Sequence, residues 1–137
     1  VEGDTEDVII RESLKRLDPA TRQSAQAQTE VVKARGKASI IGLTRYLRAL
    51  GMTPFVIHDL DSATPNAAKF NAPIAAAAGA ENVAALAECI EDVLGYAPPS
   101  HEKPLTAFRE ATKWGQNWAD VPKAWRDVMV RAFFIPN

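Results

Sequence analysis

The chain has 137 residues, 47% of them hydrophobic and 24% charged, and a net charge of −1. That balance excludes a disordered chain, allows one domain with a real core, and offers no global basic field to nucleic acid, so any such contact must come from a local patch. The single cysteine, Cys89, excludes a disulfide framework and a cysteine-rich zinc site, and no apolar run is long enough to span a bilayer, so a cytoplasmic protein without membrane attachment is expected.

Val1-Glu2-Gly3 lacks a start methionine and reads as the end of a strand whose earlier residues are absent, so the chain is expected to be a fragment of something larger. Thr5 to Leu17 carries Val8, Ile9, Leu14 and Leu17 at helical spacing, with Asp4 or Thr5 as a cap and Asp18-Pro19 as the stop. Thr29 to Ala34 is a strand candidate, and Arg35-Gly36-Lys37 is a turn. Ala38 to Leu50 predicts an amphipathic helix with Ile40, Ile41, Leu43, Leu47 and Leu50 facing inward and Gly51 ending it. Thr53 to His58 is the next strand, giving the β-α-β-α-β alternation of a parallel sheet.

Further on, Asn66 to Ala78 is alanine-rich and helical, interrupted or kinked by Pro73 and ended by Gly79. Val83 to Ala87 is a short strand, and Ile90 to Gly95 a short helix or turn. Lys103-Pro104 opens a helix through about Trp114, and Val121-Pro122 opens the last one, through Phe134. The fold class expected is α/β, Rossmann-like, with a mostly parallel central sheet flanked by helices and a helical C-terminal part over about 103–137.

The chemistry gathers at strand ends. The apolar run Phe55-Val56-Ile57 leads into Asp59 and Asp61, spaced i, i+2, and so expected on one side of a strand. Two like charges there call for a cation, and the C-terminal edge of a parallel sheet is where α/β folds place their sites. Glu2 would end the first strand, and Glu6 would follow in the first helical turn. Both would lie on the same edge as Asp59 and Asp61, so four carboxylates would suit one or two magnesium-type ions. Glu91 is placed to add a ligand, although Glu88, Glu91 and Asp92 read alone are the polar face of a helix. Lys37 and Lys103, near glycine and proline turns, are the basic candidates beside a phosphate, and each read alone is a solvated lysine. His58 would point to the opposite face from Asp59 as a structural residue, and His101 has no visible partner. Trp114, Trp118 and Trp125 read as core or interdomain packing.

The order Val1-Glu2-Gly3-Asp4-Thr5-Glu6, then Arg35-Gly36-Lys37, then His58-Asp59-Leu60-Asp61-Ser62 resembles the Toprim domain of topoisomerases, primases and some nucleases. Within that family the chain is most similar to the C-terminal Toprim of the OLD (overcoming lysogenization defect) nucleases. The further points of similarity are Glu6, Gly36-Lys37, the block Ile90 to Gly95, and Glu102-Lys103-Pro104, so the likeness runs over nearly the whole chain. The resemblance implies a DNA endonuclease, a hydrolase working by a two-metal mechanism with Mg2+ or Mn2+, and Ca2+ as an inactive occupant. It implies Glu2, Glu6, Asp59, Asp61 and Glu91 as metal ligands directly or through water, and Lys103, with Glu2 and Asp59, as catalytic. Cys89 is not expected to be a ligand. An N-terminal ABC-type ATPase domain is implied as the partner within a longer, dimeric protein, since no Gly-x-x-x-x-Gly-Lys-Ser/Thr loop occurs here. DNA binding is expected to be weak and salt-sensitive, through basic residues such as Lys33, Arg35, Lys37 and Lys103.

Two other readings compete. Phe55 to Thr64 also resembles the Asp-x-Asp motif of haloacid-dehalogenase phosphatases, but there the motif usually opens the domain, Ser62 stands where that family has glycine, and Glu2 is left unexplained. The other is a non-catalytic Toprim-like module that binds DNA or serves assembly.

Overall fold

The computed structural model describes residues 1–136, and these divide into two units, one of residues 1–4 and 32–90, the other of residues 5–31 and 91–136. In the first unit, strand β1 (Val56–Asp59) pairs in parallel with β2 (Val83–Leu86), in the register Val56↔Val83, Ile57↔Ala84, His58↔Ala85 and Asp59↔Leu86. Val56, Ile57 and His58 are all buried, the continuous pattern of a strand covered on both faces. The chain is thus α/β with parallel pairing as expected, but the sheet has two strands among the described residues, fewer than the alternation predicted.

Thr29 to Ala34 forms no regular strand. Instead the Val1 amino group donates to Val32 O at 2.8 Å, and Ala34 N donates to Val1 O at 2.9 Å. These two bonds flank Lys33 in the sense of a parallel pairing.

Three α-helices complete this unit, with a 3-10 turn at Ala80–Asn82 before β2. Helix α3 (Lys37–Ala49) follows Gly36, and its Ile40 packs with Val56 of β1 and with Ile74 and Ala78 of helix α5 (Asn71–Ala78), while Ile41, Phe70 and Val83 close the margin. Ile74 is fully buried, a site worth about 1.5–3 kcal/mol by transfer alone. Leu50 is a correction: it is 56% exposed, and Thr44, a polar residue, holds a buried position on the helix instead. The helix predicted over 66–78 is two helices, α4 (Pro65–Ala68) and α5. Pro73 explains the break, because it has no N–H for Lys69 O and its ring clashes with that carbonyl; in α5 it sits in the first turn, where no such bond is needed. Gly79, at φ 89°, turns the chain out of α5.

The second unit is helical. It contains α1 (Asp4–Leu14, from Thr5 onward), α2 (Pro19–Gln28), α6 (Ile90–Leu94, from Glu91 onward), α7 (Lys103–Thr112) and α8 (Lys123–Phe133). Trp125 is fully buried, as expected for packing, and its Nε1 donates to Ser13 Oγ at 3.0 Å; Ser13 in turn donates to Ile9 O. Arg16 lies over the Trp114 ring at 5.1 Å and donates to Ala111 O and Gly115 O, which ties α1 to the end of α7.

Helix α2 was not anticipated from the sequence. Asp18-Pro19 is a stop and a start at once: Asp18 Oδ1 accepts from Ala20 N and Thr21 N, and Pro19 opens the helix. The Thr21 bonds hold the Asp18 carboxyl below its usual value. Asp18→Ala is expected to fray the first turn of α2, seen as several-fold faster amide exchange at Ala20 and Thr21 with exchange in α7 unchanged.

Candidate functional site

Asp59 closes β1, and the parallel ladder runs past it: Leu60 N donates to Leu86 O at 3.1 Å and Asp61 N to Glu88 O at 3.2 Å. Asp61 then adopts φ 51°, a left-handed conformation that aspartate tolerates better than most residues. This turn interrupts the two-residue alternation, so strand spacing alone does not aim Asp61 as it aims Asp59. Asp59 is half-buried with Oδ1 fully buried, and the Asp61 side chain is 30% exposed.

Around this segment stand residues that the sequence did not single out. Asn71 Nδ2 donates to Leu60 O at 2.9 Å. Glu88 accepts from Ser62 Oγ and from Ala63 N, and the Ser62 hydrogen bond draws its carboxyl below the usual value. Glu88 had been read with Glu91 and Asp92 as one polar face; its position two residues beyond β2 was the signal for a loop anchor. Nothing in the sequence near Asn71 marks it.

Lys37 departs furthest from expectation. It was expected to contact DNA, yet it is buried, with Nζ 2.5 Å from Asp59 O, 3.1 Å from Leu60 O and 3.0 Å from Asp61 Oδ2. Lys33 and Arg35 are exposed. Lys33 Nζ lies 2.8 Å from Asp4 Oδ1 and thereby holds the Asp4 carboxyl below its usual value. Glu2 is half-buried with Oε2 inside, and its carbonyl accepts from Gly36 N at 3.1 Å.

Glu6, Glu91 and Lys103 belong to the second unit. Glu6 is buried on α1. Glu91 is fully buried at the start of α6, neither carboxylate oxygen has a hydrogen bond, and Lys103 Nζ lies 3.3 Å from Oε1. The structure thus brings together the two residues that were expected to act in the later part of the chain. An open cleft of about 550 Å³ in the same unit, lined by Ile10, Arg11, Arg22, Glu30 and Phe133 among others, includes none of the predicted site residues.

His58 is the structural residue expected of it. It is buried, and its Nδ1 donates to Asp59 O at 2.7 Å, which fixes the tautomer with the proton on Nδ1. Burial pushes its pKa below the ordinary 6.5. Below about pH 6.5 the unfolded chain therefore takes up a proton that the folded chain refuses, and stability falls as pH falls, by at most about 1.4 kcal/mol per pH unit. His58→Asn keeps a donor near the Asp59 carbonyl and is expected to flatten this part of the profile, measured by urea unfolding at pH 7.5 and 5.5. An identical pH dependence in the variant would show that His58 is not its source.

The residues suit a hard divalent cation in their chemistry: every predicted ligand is a carboxylate, and the hydrogen-bond-free buried oxygens of Glu91 are groups that a cation would satisfy. Among the described residues, however, no group of three or more histidine, cysteine, aspartate or glutamate side chains is arranged to hold a metal ion. No helix among them is long and apolar enough to cross a membrane.

Residues 1–61 match the family model described as the overcoming lysogenization defect protein-like TOPRIM domain. No curated protein and no solved structure matches the chain. The matched stretch contains Glu2, Glu6, Gly36, Lys37, Asp59 and Asp61, and stops short of Glu91 and Lys103, so it is narrower than the likeness drawn from the sequence. The match supports a Toprim domain of the OLD-family type in this chain, carried by residues 1–61.

Proposed function

We propose that this chain is the catalytic Toprim module of an OLD-type ATPase–nuclease, a divalent-metal-dependent DNA endonuclease, with residues 103–137 as its helical C-terminal part. The observation that carries the reading is the family match over the stretch holding Glu2, Glu6, Asp59 and Asp61. In this proposal those four carboxylates and Glu91 hold two cations, Mg2+ or Mn2+. When bound, such ions supply Lewis acidity to phosphodiester hydrolysis.

The chain's own groups have separate tasks. Lys103, half exposed and paired with Glu91, presents positive charge to the scissile phosphate. Lys33 and Arg35, exposed beside the turn, add a salt-sensitive hold on the DNA backbone. An ABC-type ATPase domain of the longer protein and a dimer built by it would supply the rest of that hold. The test is nicking of supercoiled plasmid by the purified chain with Mn2+ or Mg2+. Relaxed circles that disappear with EDTA are expected; DNA binding with no nicking in either metal would favour the non-catalytic module.

A further inference from the structure

The lysine ammonium has three N–H donors. Those of Lys37 face three oxygens of one short segment: Asp59 O, Leu60 O and Asp61 Oδ2. Its side chain is 5% exposed, so no donor is left for a phosphate in solvent. The residue before it, Gly36, has φ 117°, a conformation that side-chain-bearing residues rarely adopt, and its N–H reaches Glu2 O at 3.1 Å. One turn therefore grips both acid-bearing segments of the first unit, Glu2 through Gly36 and Asp59 to Asp61 through Lys37.

We infer that Lys37 is a positioning residue whose buried ammonium holds the Asp59-Leu60-Asp61 segment in its turn and so sets where the two carboxylates point. The arrangement has a physical logic. Two adjacent carboxylates repel, and a loop bearing them opens unless a fixed positive charge sits among its backbone carbonyls. The ammonium supplies that charge within the chain itself, before any cation arrives. Asn71 and the Leu86 and Glu88 carbonyls hold the same segment from other sides, so removing Lys37 loosens it without unfolding β1. The inference deepens the nuclease reading and rests on it for its metal-binding and catalytic consequences, while the hold on the loop is a property of the metal-free chain.

The experiment compares Lys37→Met with wild type by amide exchange without metal, by Mn2+ titration, and by plasmid nicking. Faster exchange confined to residues 59–64, Mn2+ affinity weaker by about 10- to 100-fold, and a lower kcat at unchanged KM for DNA are expected. Unchanged exchange at Leu60 and Asp61, or a rise in KM for DNA alone, would overturn the inference and return Lys37 to the DNA contacts. Exchange that quickens equally throughout residues 32–90 would also overturn it, since Lys37 would then be a general support of the unit. Should Lys37→Met fail to fold, Asp61→Ala decides: it removes one of the three acceptors and should speed exchange at Leu60 and Asp61 with the rest of β1 unchanged, and no change there would sink the idea. Wild-type protein that neither binds Mn2+ nor nicks DNA, with the loop still loosened in Lys37→Met, would refute the nuclease reading and leave the positioning role standing.

Discussion

Asp59→Ala is expected to abolish metal-dependent plasmid nicking while leaving the fold intact. Asp59 ends β1 opposite Leu86, with Oδ1 buried at the strand end. In the proposed site it would hold a cation together with Glu2 and Asp61. A group that merely supports a ligand is worth about 10- to 100-fold, so losing the ligand itself should cost about 100-fold or more in nicking rate. The backbone does not share the loss: the Asp59 carbonyl still accepts from Lys37 and His58, and the core of Ile40, Val56, Ile74 and Ala78 is untouched. The urea midpoint should therefore move little, within about 1 kcal/mol of wild type. Nicking rates at several Mn2+ concentrations, read beside urea unfolding, check both halves. A variant that nicks like wild type would remove Asp59 from the chemistry and with it the two-metal reading.

Trp125→Ala is expected to be the most destabilising single change in the helical unit. The ring is fully buried in α8, and truncating a buried aromatic costs about 3–5 kcal/mol through lost transfer energy and the cavity left behind. That is a large part of the stability of an ordinary domain, about 5–15 kcal/mol. Trp125→Phe separates packing from polarity. It keeps most of the apolar area and loses the Nε1 donor, but Ser13 Oγ still has its bond to Ile9 O, so no buried hydroxyl is stranded and the cost should fall to about 1–2 kcal/mol. Equilibrium urea unfolding followed by circular dichroism measures both. Equal stability of the alanine variant and wild type would mean that α8 does not depend on this ring. Because Glu91 and Lys103 belong to the same unit, the alanine variant is also expected to weaken nicking, and stabilising osmolyte should restore it in part.

A phosphatase was open as long as Asp59 and Asp61 stood alone, because an apolar strand ending in Asp-x-Asp serves both chemistries. The family match spans Glu2 and Glu6 as well, which a phosphatase reading leaves without a role.

What the sequence by itself determined is what depends on near neighbours along the chain. The apolar run before Asp59, the short strand after Asn82, the proline openings of α7 and the glycine end of α5 all stand where local patterning and backbone chemistry put them. Glu2, Glu6, Asp59 and Asp61 fall within the stretch that the family model matches. Tertiary structure decided what depends on partners distant in sequence. Residues 29–34 have strand-like side chains but form no regular strand, and Val32 and Ala34 bond to Val1 instead. Lys37 reads as a solvated or DNA-contacting charge until the fold brings Asp59 to Asp61 within reach of its three donors. A buried ammonium is tolerable only where oxygens converge on it, and convergence of residues more than twenty positions apart is a property of the packed chain, invisible to any spacing rule. Glu91 follows the same logic: its place in a helical run read alone as a solvated face, and only the fold shows it fully buried beside Lys103.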